Sequence, residues 1–78
     1  MMNDEKMLVF AKKLQEEHVV CFRLYNALYK VQFSQKKLTI RQEGLDVSYT
    51  YSSLHDLFHY YVVYGASLID SLEDIKMI

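Results

Sequence analysis

Between Val19 and Tyr51, apolar and polar residues alternate through four short runs, a pattern that predicts four β-strands folded back and forth as an antiparallel meander. Partners across a two-residue turn have position numbers with a constant sum, so turn positions set the register. A turn at Asn26-Ala27 pairs Leu24 with Tyr29, Phe22 with Val31 and Val20 with Phe33. A turn at Gln35-Lys36 sets Phe33 against Leu38 and Val31 against Ile40, and one at Glu43-Gly44 sets Ile40 against Val47 and Leu38 against Tyr49. One face stays apolar throughout. The other carries Arg23, Lys30, Arg41 and Asp46 in one cross-strand row and Cys21, Gln32, Thr39 and Ser48 in the next. Arg23 opposite Lys30 is then a repulsive pair and Arg41 opposite Asp46 an attractive one. Asn26-Ala27 and Gln35-Lys36 lack the glycine that tight hairpins favour, which leaves those loops room to lengthen.

Helical spacing flanks this run. Asn3 has the chemistry of a helix cap, Asp4 and Glu5 suit the positive end of a helix dipole, and Met7, Phe10, Ala11 and Leu14 form one stripe. A helix is expected from about Asp4 to Glu16, with Leu8 and Val9 widening its apolar face toward a broad core contact or a second chain. After the strands, Ser53-Leu54-His55-Asp56 has the form of a capping box and opens a helix with the stripe Leu54, Leu57, Phe58 and Tyr61. Ser67-Leu68-Ile69-Asp70 repeats the signal, and Leu68, Leu72 and Ile75 predict a second, shorter helix beyond Gly65. The expected fold is α+β in two layers: an N-terminal helix, a four-stranded antiparallel meander, then two C-terminal helices packed on one sheet face. Residues 1–78 read as a single domain, with no proline and no low-complexity linker.

Composition narrows the function classes. A chain of 78 residues buries only about 60% of its unfolded surface. One cysteine closes no internal disulfide, and no Cys/His spacing matches a structural zinc site. Stability must come from a dense apolar core or from association, and seven Tyr and four Phe serve both. No run is apolar for the ~18 residues that span a bilayer, and the amino terminus is acidic where a signal peptide is basic, so a cytosolic protein without a membrane role is expected. Net charge is −1, yet His18 to Gln42 holds Arg23, Lys30, Lys36, Lys37 and Arg41 with no acid. Six acids and one base, Lys76, follow from Glu43 onward.

Catalytic chemistry finds little support. His55 and His59 stand one helical turn apart, a spacing that can present two imidazoles to a metal, but His18 and Cys21 lie at the first strand with no reason to join them. No metal site and no cofactor are expected. Cys21 has no base in register to activate it, and Gly44 and Gly65 are the only glycines, so no phosphate loop exists. The chain is read as non-enzymatic.

The segment Tyr51-Ser52-Ser53-Leu54-His55-Asp56-Leu57-Phe58-His59-Tyr60-Tyr61 resembles the second-helix segment of SH2 domains, and Cys21-Phe22-Arg23-Leu24 falls where their phosphate-binding arginine strand lies. The resemblance implies that Arg23 would anchor a phosphotyrosine. The chain is short for that domain, Leu24 and Tyr25 replace the polar pair after the arginine, and no histidine stands on the third strand; no family is assigned from it.

Binding to another protein or to a second copy of the chain is therefore the leading expectation. The candidate surface comprises Arg23, Lys30, Lys37 and Arg41 on the polar sheet face, with Tyr25, Tyr60 and Tyr64, whose rings fall off the core stripes and offer both an apolar body and a hydroxyl. Exposed strand edges add a route for a partner to extend the sheet. The rival is a nucleic-acid-binding module using the same four cations, weakened because most strand aromatics fall on the opposite face.

Overall fold

The computed structural model describes residues 2–78, with side chains from residue 5 onward. The order is α1 (Met2–Glu17), β1 (Val19–Leu24), β2 (Ala27–Ser34), β3 (Lys37–Gln42), β4 (Ser48–Tyr51), α2 (Leu54–Tyr60), β5 (Val62–Val63), β6 (Ala66–Ser67), a 3-10 turn (Leu72–Asp74) and β7 (Ile75–Met77). The main sheet is antiparallel and five-stranded, ordered β4-β3-β2-β1-β7, and β5 pairs only with β6.

Two parts of the expected architecture are overturned. The sheet has five strands, not four, and a single helix follows β4 instead of two. Ser67 does begin a turn, with Ser71 N–H bonding Ser67 C=O at 3.1 Å and Ser67 Oγ bonding Asp70 Oδ2 at 3.1 Å, but the turn does not propagate. So short a helix gains few bonds against its nucleation cost, whereas the free edge of β1 offers a ready ladder. Ile75–Met77 takes that ladder, pairing Leu24 with Ile75 and Phe22 with Met77. Gly65, expected between two helices, instead sits in the β5–β6 turn at φ +81°, a conformation that suits glycine.

The strand register moves in steps that preserve the faces. β2 pairs with β3 as read from the chain, Val31 with Ile40 and Phe33 with Leu38, across Gln35 and Lys36, both with φ above +50°. The first turn falls at Tyr25-Asn26, which pairs Phe22 with Tyr29 and Leu24 with Ala27. The third connection runs from residue 43 to residue 47, so Ile40 meets Tyr49 and Leu38 meets Tyr51. In both cases the partner changes by two positions, and a shift of two leaves every side chain on its own face.

α1 and α2 cover the apolar face. Phe10 of α1 meets Phe22 at 5.7 Å and Phe58 of α2 edge-on at 5.0 Å, which joins both helices to the sheet. Val20, Leu24, Val31, Ile40, Leu57, Leu68, Leu72 and Ile75 complete the core. Ser53 Oγ accepts the Asp56 N–H at 3.1 Å and starts α2 as the capping signal predicts. The Asn3 cap lies outside the described side chains. Leu8 (69% exposed) and Val9 do not widen the core contact, and Phe33, Val47 and Tyr49, expected inside, are exposed because the helices do not reach the sheet's margins. No helix is long and apolar enough to cross a membrane among the described residues.

Candidate binding surfaces

At the β4 margin the chain forms a tyrosine-walled cleft of about 420 Å³, lined by Gln42, Leu45, Val47, Tyr49, Tyr51, Tyr60, Tyr61 and Val62. The longer β3–β4 connection carries Leu45 and Val47 beyond the helices, and α2 ends where β-branched Val62 and Val63 favour extended chain. Tyr61 stands at the floor, edge-on to Tyr49 at 5.6 Å and to Tyr29 at 6.2 Å. Burial, reinforced by Tyr29, Tyr49 and Tyr51, pushes its phenol up to about 12. Burial also raises Tyr51, with Tyr49 adding to it, and raises Tyr29, with Tyr64 adding to it. At neutral pH these are uncharged hydroxyls able to donate. Tyr25 bonds Asp74 Oδ2 at 3.4 Å, whereas Tyr49, Tyr51, Tyr60 and Tyr61 have no hydroxyl partner among the described residues.

The opposite sheet face is open and basic. One row runs Cys21, Lys30, Arg41, Ser48 and the next runs Val19, Gln32, Thr39, Thr50. Lys30, Gln32, Thr39, Arg41 and Ser48 line one concavity of about 210 Å³. The charge pairs differ in part from those expected: Arg23 faces Lys76 instead of Lys30, Lys30 faces Arg41 as the second turn implies, and Ser48 rather than Asp46 faces Arg41 on its other side. Arg23 lies beside Leu28 and Lys76, and Lys37 beside Ser34. Among the described residues the one close ion contact is His55 Nδ1 to Asp56 Oδ1 at 3.6 Å, so these cations carry no carboxylate partner. Like charges held side by side cost stability that an anionic ligand would return.

The three candidate tyrosines separate. Tyr25 and Tyr64 meet at 5.4 Å, each on a hairpin tip with positive φ, 57° and 51°. A non-glycine residue held there is strained, and Tyr64 is 87% exposed. Tyr60 belongs to the cleft instead, 66% exposed beside Val62. Leu45, Val47, Tyr49 and Val62 were not legible as surface, because a two-residue third turn assigns Val47 and Tyr49 to the core; the isolated Gly44 inside Glu43–Val47 is the signal for a longer loop.

Elsewhere the reactive side chains stay apart. His55 and His59 rings stack at 4.2 Å, His18 stacks on Phe33 at 6.3 Å, and Cys21 is exposed on the open face. No group of three His, Cys, Asp or Glu that could hold a metal occurs among the described residues. Arg23, the residue the SH2 resemblance would make an anchor, stands exposed on the open face next to Lys76. No family model, no curated protein and no solved structure matches the chain.

Proposed function

We propose that this chain is a non-catalytic binding module of the cytosol that acts by associating with another protein. The observation that carries the reading is the tyrosine cleft: Leu45, Val47, Tyr49, Tyr60 and Val62 are all more than half exposed and share one concave surface. Scattered apolar residues on a surface are ordinary, whereas a clustered patch rimmed by polar groups marks an interface. Tyrosine suits the role, since its rigid ring contributes contact area at little entropic cost and its hydroxyl fixes orientation.

The basic sheet face supports a second reading, nucleic-acid binding, through its unpaired Lys30, Lys37, Arg23 and Arg41. The strand residues paired on that face include no aromatic ring for base stacking, which favours the first reading. Affinity capture from native extract, with and without nuclease, separates them. Under the proposal, protein is retained after nuclease by the wild type and lost by a Tyr60→Ser/Val62→Ser variant. Retention that vanishes with nuclease, or that the variant leaves intact, would overturn it.

A further inference from the structure

β4 is an edge strand, and its two sides differ in chemistry. The two-residue turn makes Ser34 and Lys37 a hydrogen-bonded pair, and such pairs alternate along an antiparallel ladder. Counting across β3, Leu38 and Ile40 bond toward β4, meeting Tyr51 and Tyr49. The N–H and C=O of Thr50 and Ser48 therefore point out of the sheet, available to another strand. Beside that free backbone, the tyrosine cleft lies on one face and Arg41 and Lys37 of β3 on the other, with only the short Ser48 and Thr50 side chains between those two cations and the edge, and with Lys30 of β2 behind Arg41.

We infer that the occupant of this edge is an extended segment of another protein, with apolar and acidic side chains in alternation, added as a sixth strand alongside β4. Successive side chains of a strand face opposite sides, so one set enters the tyrosine cleft while the other faces the cations. Charge complementarity selects acids for that second set, because Lys37 and Arg41 of β3 have no carboxylate partner and their long stems reach over Ser48 and Thr50, while Lys30, a strand further in, adds to the positive field behind Arg41. The acidic positions belong nearest Thr50 and Lys37, since Glu43 and Asp46 occupy the connection at the Ser48 end. The free tyrosine hydroxyls of the cleft donate to the carbonyls of the added strand. Backbone pairing supplies affinity and the two faces supply selectivity.

This inference rests on the association reading and specifies its partner. The test uses synthetic peptides of about eight residues, a usual strand length: one alternating valine and glutamate, one of identical composition with the two residues in blocks, and one alternating valine and lysine. The alternating acidic peptide is expected to bind about tenfold or more tightly than either control. Its binding should weaken with salt, and it should slow amide exchange at Thr50. Thr50→Pro removes an N–H that points outward, so it should keep the fold and abolish binding; N-methylation of alternate peptide amides tests the same bonds without altering the protein. Equal binding of the block peptide, or no protection at Thr50, would overturn edge addition while capture of a nuclease-resistant protein still upheld the association reading. A free protein of twice the monomer mass with Thr50 already protected would assign the edge to a second copy and also overturn the inference. Displacement of the peptide by an oligonucleotide, with no nuclease-resistant protein captured, would overturn both.

Discussion

A phenol taken out of water resists ionisation, and Tyr61 is the side chain where this has the largest consequence. Its folded pKa is raised from 10.0 to about 12, by burial first and then by Tyr29, Tyr49 and Tyr51. The unfolded chain thus loses this proton before the folded one does. The contribution is fully present below pH 10.0 and fades as pH rises toward about 12, so alkali should unfold the protein across that window. Phenolate absorbance should show a late-titrating tyrosine in the wild type, missing in Tyr61→Phe. A Tyr61→Phe protein with the same alkaline midpoint would show that the phenol does not couple to folding. This residue was readable as part of the α2 stripe, but its partners were not. Tyr49 reaches it only because the β3–β4 connection is longer than a tight turn, and nothing local reveals that length apart from Gly44.

Among the elements, the C-terminal segment departs furthest from its local pattern. Leu68, Leu72 and Ile75 have helical spacing, yet all are buried in a turn, a 3-10 segment and a strand. Periodicity records which residues go inside; it does not record that β1 has an edge to fill, because that edge exists only after the sheet forms. Distant side chains help to hold the segment there, Lys13 of α1 donating to Ile78 O at 3.0 Å among them. Lys6 Nζ of α1 donates to Leu72 O at 2.9 Å and to Ile75 O at 2.7 Å, satisfying carbonyls at the end of the 3-10 turn. Lys6→Met keeps the length and removes the donor, and should cost about 1.5–3 kcal/mol, the range for bonds to a charged group. The denaturant midpoint should fall at constant slope and amide exchange at Ile75–Met77 should quicken. An unchanged midpoint would mean that β7 is held without the Lys6 bonds, by its ladder, its apolar contacts and the Lys13 bond to Ile78 O.

For the molecule as a whole, charge placement opposes stability and favours binding. Lys30 lies directly opposite Arg41 within a face free of carboxylates. Lys30→Glu turns repulsion into attraction and should raise stability by about 0.2–1 kcal/mol, the span of cross-strand pairs. The same change should weaken binding of the alternating acidic peptide. A variant that gained stability and kept its affinity would detach the open face from recognition. By itself the chain determined the faces of the strands, the capped α2, the apolar stripe of α1 and the basic character of one surface, because these depend on periods of two or 3.6 residues and on neighbours close in sequence. Tertiary structure alone decided that a fifth strand closes on β1, that the register moves by two at the first and third connections, and that Tyr49, Tyr60 and Val62 share a cleft. Those outcomes depend on which backbone edges and side chains meet across the fold, and a free strand edge can redirect a segment whose own helical preference is too short to hold.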